Sequence, residues 1–322
     1  MNNIKAYPIA APEDRGVPSG AIRNAIREIR ETYGLNLHSF LMVRDGALIW
    51  EEYFRVGEKD RLHVLHSVSK SFCSTAIGLA QAQGLLSIED KLYDFFPEYS
   101  DLCDSDGKRS VALKHLLMMG SGFENREGEI FGNMAGDIVK PALALPVIHE
   151  PGTVFNYYTL GTYLLSVVFS KVCPEGIHAY LRRKLFNPMG FGASHWDADK
   201  SNVPMGGFGL YLTAYDMTRL GVLYLQKGVW EGQRLVPEQY VETASSKQIC
   251  NANHSSGNPD WTAGYGYQFW RNKMGGFRAD GMYGQYIIVL PEKNAVIVMT
   301  SHLDDMQKPL TAVETLLLPE IA

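Results

Sequence analysis

The chain has 322 residues, enough at about 150 per domain for two domains or one large one with a sizeable core. Hydrophobic residues at 46% and charged residues at 20% are globular composition, which excludes a disordered, collagen-like or coiled-coil chain. With 30 Lys and Arg against 35 Asp and Glu the formal charge is −5, so neither nucleic acid nor an anionic membrane is an expected partner.

The first sixteen residues, MNNIKAYPIAAPEDRG, lack the apolar stretch of about 7–15 residues that a secretory signal requires. No apolar run approaches the roughly 20 residues of a membrane-spanning helix, and a cytoplasmic location is expected. Cys73, Cys103, Cys173 and Cys250 fit no zinc or redox spacing and read as reduced packing thiols.

The spacing predicts a helix over 19–34, capped by Ser19, striped by Ile22, Ile26, Ile29 and Tyr33, and stopped by Gly34. A hairpin follows, with β-prone runs at 39–44 and 47–54 joined by Asp45-Gly46, because both residues of such a tight turn must tolerate positive φ. Helical spacing returns at 68–83, with Val68, Phe72, Ala76, Leu79 and Ala80 apolar and Gly84 as the stop. Further helices are predicted at 111–119, 159–173, 177–186, 213–227 and 237–245, with Gly-, Asn- and Asp-rich loops at 120–136 and 187–209. Strands are predicted at 264–270, 284–290 and 295–300, and a last helix at about 308–318.

Strands at both ends with helices between them imply an α/β (α+β) fold: an antiparallel sheet flanked by helices, with an inserted, mostly helical subdomain. The expected division is a discontinuous sheet domain over 1–75 and 205–322 and a helical subdomain over 76–204. A small-molecule site is expected in the cleft between them.

Signatures of lipases (GxSxG), zinc proteases (HExxH), P-loop enzymes and dinucleotide binders (GxGxxG) are absent. What is present is Ser67-Val68-Ser69-Lys70. An offset of three on a helix puts Ser67 and Lys70 on one face, about a turn apart. A lysine amine there can take the serine proton if burial pulls it well below its usual range near 10.4. The result is an activated serine nucleophile. At the head of a helix, Ser67's own backbone N–H can also face a developing oxyanion. A second SxxK, Ser105-Asp106-Gly107-Lys108, is expected to lie in a polar loop with nothing to hold its side chains in register.

Two more segments carry chemistry. In Pro151-Gly152-Thr153-Val154-Phe155-Asn156-Tyr157-Tyr158-Thr159 a tyrosine could relay a proton from Ser67 to a leaving group. The competing reading is packing, since 17 tyrosines are available. In Ala279-Asp280-Gly281-Met282-Tyr283-Gly284-Gln285, glycines on an edge strand allow close approach of an acyl group, and a backbone N–H can complete an oxyanion hole. The competing reading is a plain hairpin turn.

In this order the three segments resemble the serine β-lactamase and penicillin-binding-protein superfamily, most of all its class C branch, which includes esterases, D-amino-acid peptidases and 6-aminohexanoate-dimer hydrolases. Lys114-His115-Leu116-Leu117, Gly206-Gly207-Phe208-Gly209-Leu210-Tyr211 and Asp216-Met217-Thr218-Arg219-Leu220-Gly221 extend the similarity across roughly residues 35–301. The resemblance implies Ser67 as nucleophile, Lys70 as its activating partner, Tyr157 as catalytic tyrosine, and the backbone N–H groups of Ser67 and Gln285 as the oxyanion hole. It further implies substrate contact at Met282, Tyr283, Gly284 and Thr159. Tyr265 and Trp270 are weaker candidates for the cleft wall.

Two departures stand out. Thr159 replaces the asparagine of the family's Tyr-x-Asn, and Met282-Tyr283-Gly284 is read where the family carries Lys-Thr-Gly or His-x-Gly. Loss of the cation that would pair with a substrate carboxylate points to an uncharged ester or amide and away from efficient β-lactamase action. The alternatives are an amidase or peptidase of the 6-aminohexanoate-dimer or D-residue type, and a non-catalytic ligand-binding relative. No metal or cofactor is implied. His63 and His66, with no carboxylate or cysteine cluster near them in sequence, are expected to pack at the head of the helix, and Glu124, Glu127 and Glu129 to lie on a solvated loop.

Overall fold

A computed structural model describes residues 6–132, 136–254 and 257–322. The strands, in chain order, are β1 (Asn36–Arg44), β2 (Ala47–Tyr53), β3 (His63–Val64), β4 (His195–Trp196), β5 (Leu210–Leu212), β6 (Val229–Trp230), β7 (Gln233–Arg234), β8 (Trp270–Arg271), β9 (Phe277–Gly281), β10 (Gln285–Leu290) and β11 (Ala295–His302). Six of them form one antiparallel sheet in the order β2-β1-β11-β10-β9-β8. The join between the two ends of the chain is β1 on β11, with Phe40 opposite Met299 and Leu41 opposite Val298. Asp45 at φ 48° and Gly46 at φ 74° make the tight β1–β2 turn that their residue types demand.

Side chains alternate faces along a strand, so complete burial at the consecutive positions Phe40, Leu41, Met42 and Val43 requires cover on both faces. The helix Ala214–Leu225 packs on β10 and β11 so closely that a Cβ on Gly221 would stand 2.5 Å from Val296 and 2.9 Å from Ile287. The helices Ser19–Arg27 and Gln307–Ala312, each extended by a wider turn, bring the two ends of the chain together. Among the described residues no helix is long and apolar enough to cross a membrane.

The helix Ser69–Ala82 is buried at every position from Ser69 to Ala80 and packs against Thr159–Val172. A helix enclosed on all sides cannot rotate or slide, so whatever stands at its head is held in place.

Several local expectations change. Residues 264–269 form no strand; Gly264 at φ 127° and Gln268 at φ 65° break the extended run, Tyr265 makes only isolated bridges to Ile249 and Trp270, and the strand proper begins at Trp270. The third motif is divided: Gly281 ends β9, Met282–Gly284 form the turn, and Gln285 opens β10. The expected loops contain the helix Glu127–Phe131 and strand β4, while residues 133–135 of the first fall outside the described ones. The helix predicted at 111–119 shortens to Leu113–Leu117.

Candidate active site

Ser67 occupies a single 3-10 turn, His66–Val68, that runs directly into the helix Ser69–Ala82. The residue before it, His66, is held at φ 47°, a left-handed conformation that a side chain with a Cβ adopts at a cost. Ser69 Oγ accepts the backbone N–H of Leu210 at 3.1 Å and so ties the helix head to β5. Ser67 itself remains partly accessible to solvent.

Lys70 Nζ lies 2.9 Å from Ser67 Oγ and donates to the Gly207 carbonyl at 2.8 Å. It is 1% exposed. Burial strips water from the ammonium and lowers its pKa to about 8, against the opposing pull of the Glu127 and Asp280 carboxylates. The second SxxK provides an internal contrast. Ser105 caps a short helix, with its Oγ accepting Lys108 N at 3.3 Å, and Lys108 Nζ turns away to the carbonyl of Leu102. It is helical, contrary to the expectation of a loop, yet its serine and lysine do not meet.

Tyr157 stands just before the helix Thr159–Val172, with its hydroxyl close enough to Ser67 to feel it and the Lys70 amine 5.0 Å from its ring centroid. Burial, then the Asp280 charge, push its phenol well above the usual range, so it stays protonated. Trp270 stacks on its ring at 5.4 Å and Tyr265 meets it edge-on at 6.4 Å. Both are buried, at 4% and 1% exposure, which corrects their expected place on the cleft wall: they form the backing that aims Tyr157.

The oxyanion expectation changes in one position. Gln285 pairs with Gly281 across the β9–β10 hairpin, and its side chain is held by Ser301, donating to the carbonyl at 2.7 Å. The backbone lying against Ser67 is that of Gly281, where a Cβ would stand 3.1 Å from Ser67 N and 2.3 Å from Leu65 O. The Gly281–Met282 peptide, one covalent bond away, is therefore the strand's contribution beside Ser67. Met282 is 56% exposed and Tyr283 half-buried, stacked on His302 at 4.3 Å and edge-on to His66 at 5.3 Å. Gly284, at φ 81°, completes the turn with Ser301 and Leu303 packed against it. Asp280, at the position before Gly281, is buried and paired with Arg278 at 2.9 Å. Neither Ala279-Asp280-Gly281 nor Met282-Tyr283-Gly284 contains a lysine or arginine.

Thr159 does not stand alone. Its backbone N–H donates to Glu127 Oε2 at 2.5 Å, and its hydroxyl lies 3.5 Å from Glu127 Oε1. Glu127, expected on a solvated loop, is thus turned inward toward Lys70 and Tyr157, and its position in a Glu-rich loop gave no sign of this. Gln268 is another residue that pattern reading passes over. Its amide donates to the carbonyls of Leu116 and Leu117 at 3.1 and 2.7 Å and accepts from Thr162 at 2.8 Å, while its own carbonyl accepts from Ser71 at 2.7 Å. It staples together the helices that carry Lys70 and follow Tyr157.

The Beta-lactamase family matches residues 22–318 of the chain. A 6-aminohexanoate-dimer hydrolase from Paenarthrobacter ureafaciens is 25% identical over 299 residues, covering 83% of this chain and 73% of that one. Among solved structures, an octameric penicillin-binding protein homologue from Pyrococcus abyssi superposes with TM-score 0.73 at 19% identity, covering 93% of this chain and 79% of that one. EstCE1, described as a hydrolase with promiscuous acyltransferase activity, superposes with TM-score 0.73 at 15% identity over 93% and 97% of the two chains.

Proposed function

The chain belongs to the Beta-lactamase family of hydrolases, and we propose that it cleaves a small, uncharged ester or amide through an acyl-enzyme on Ser67. The observation that carries this reading is the 2.9 Å approach of Lys70 Nζ to Ser67 Oγ, by an amine whose burial brings its pKa down to about 8. The neutral amine, oriented by the Gly207 carbonyl, accepts the Ser67 proton as Oγ bonds to the carbonyl carbon. The backbone N–H groups of Ser67 and Met282 receive the developing oxyanion. As the tetrahedral adduct collapses, the Tyr157 phenol gives its proton to the departing oxygen or nitrogen and is replenished from Lys70. Water then attacks the acyl-enzyme, surrendering a proton by the reverse route, and the acid leaves with Ser67 restored. Tyr157 acts here as relay and proton donor, because a phenol pushed so far upward is a poor resting base.

Met282 and Tyr283 supply an apolar, aromatic rim, and Arg278, on the strand that ends at Gly281, is buried against Asp280. A substrate carboxylate would lose water there and gain no partner, which favours uncharged acyl groups over β-lactams. The likeness to the Paenarthrobacter protein favours a second reading, in which the scissile bond is an amide.

Treatment with a fluorophosphonate, read by intact mass, tests the mechanism. One adduct on the wild type and none on Ser67→Ala is expected; no adduct, or an equal adduct on Ser67→Ala, overturns it. A panel of p-nitrophenyl esters, 6-aminohexanoate dimer and nitrocefin then decides the bond, with the esters expected fastest and nitrocefin slowest.

A further inference from the structure

Beside the segment that leads into Ser67, three chain pieces bring His38, Glu58 and His63 together. Each offers one ligand atom, and these atoms lie within 4.8 Å of one another; no other such trio occurs among the described residues. His63 was expected to pack at the helix head with no carboxylate near it, but folding turns Glu58, five residues upstream, directly onto it.

The placement looks built. β1 pairs Leu37 with Ser301 and Ser39 with Thr300, so His38 is the extra residue of a β-bulge. A bulge re-aims a side chain out of the strand's alternation, and here it sends the imidazole toward Glu58. Glu58 opens a 3-10 turn behind Gly57 at φ 73°, and His63 lies on β3.

All three side chains are buried, Glu58 at 1% exposure. Nε2 of both histidines and both oxygens of Glu58 lack a hydrogen-bond partner. Their remaining approaches are to each other, His63 Nε2 at 2.5 Å and His38 Nδ1 at 3.8 Å from Glu58 Oε1. The His63–Glu58 contact engages one carboxylate oxygen; Glu58 Oε2 and His38 Nε2 stay buried without a hydrogen bond, at a cost in free energy. A cation that takes all three as ligands removes it.

We propose that His38, Glu58 and His63 hold one zinc ion. Two imidazole nitrogens and one carboxylate oxygen are a donor set suited to that metal, with a fourth position left for water or another ligand. A cavity of about 220 Å³ lined by His63, His66, Gln285 and His302 among others adjoins the trio and has room for it. The ion would tie β1 to the stretch 58–66 that ends at the nucleophile, and so act as a structural clamp; the hydrolytic steps above run without it.

Tag-free protein of the full chain, stripped with chelator, incubated with zinc chloride, gel-filtered and read by elemental mass spectrometry tests this. The wild type should retain about one zinc per chain, and Glu58→Gln or His38→Phe should retain at least about tenfold less. His302→Gln, in the same cavity but outside the trio, should keep it. Zinc should raise the melting temperature of the wild type and leave that of Glu58→Gln unmoved, with the fluorophosphonate adduct on Ser67 reporting that the variant is folded. Wild type with no more zinc than a buffer blank overturns the proposal, as does retention by Glu58→Gln or loss in His302→Gln.

Discussion

Gly281 and Ser67 are fitted to each other without slack: a methyl group on Gly281 would stand 3.1 Å from the Ser67 nitrogen and 2.3 Å from the Leu65 carbonyl oxygen. The glycine is there for closeness, since its φ is not among the positive ones. Gly281→Ala should therefore push β9 off the nucleophile and spoil the oxyanion position. Steady-state assays should record a loss of about 10²–10³ in kcat, the size of one missing oxyanion donor, together with a lowered melting temperature from the overpacking, on the order of 1–3 kcal/mol of stability.

Hydrolysis should rise with pH. The active form has Lys70 neutral, and its folded pKa of about 8 lies below the usual lysine value, so activity is low in acid and climbs as the ammonium deprotonates. A plot of log kcat/KM should ascend with unit slope and level off above pH 8; a flat profile between pH 6 and 9 would remove Lys70 from the base role. Lys70→Arg, which keeps its charge at any such pH, should lose on the order of 10³-fold or more.

The position of that midpoint depends on Glu127. Its carboxylate is the largest influence raising the Lys70 pKa against burial. Glu127→Gln keeps an acceptor for the Thr159 N–H while deleting the charge, so the midpoint should move to lower pH, by about half a unit or more. A shift to higher pH would contradict the assignment.

Trp270 acts through Tyr157. Tyr157→Phe should cost about 10²–10⁴ in kcat. Trp270→Leu removes the stacked ring and should cost about tenfold or more in kcat with KM little changed, while Trp270→Phe recovers most of it. If the effect travels through the phenol, the double variant Trp270→Leu with Tyr157→Phe will be no slower than Tyr157→Phe alone.

Gln268→Ala should destabilise the fold by about 1–3 kcal/mol, because it strands the Thr162 hydroxyl inside the protein and takes the side-chain amide from the Leu116 and Leu117 carbonyls, which keep the backbone N–H groups of Met119 and Gln268. Urea unfolding followed by circular dichroism checks this, and a change under about 0.5 kcal/mol, the scale of a surface substitution, would show the staple to be dispensable.

Much of this was legible in the chain. Asp45-Gly46 specified its turn because few residues tolerate that backbone. The apolar spacing after Ser67 specified a buried helix, and SxxK on a helix implied the meeting of Ser67 and Lys70, since helical periodicity converts sequence offset into distance. Where distance in space is unrelated to distance in sequence, reading failed. The sequence places Gln285 at the head of the late strand, whereas the register of the β9–β10 hairpin lays Gly281 against Ser67. Trp270 and Tyr265 were read as cleft wall because an aromatic residue in sequence does not say whether it touches substrate or the residue that does.

Composition, turn chemistry and helical offset thus determined the class of fold and the pairing of Ser67 with the Lys70 amine, all being properties of neighbours along the chain. Only the tertiary structure decided that Glu127 faces Lys70, that Gly281 lies on Ser67, and that a bulge at His38 meets Glu58 and His63. Those are encounters between remote segments, set by sheet register and by which side chains burial leaves without water.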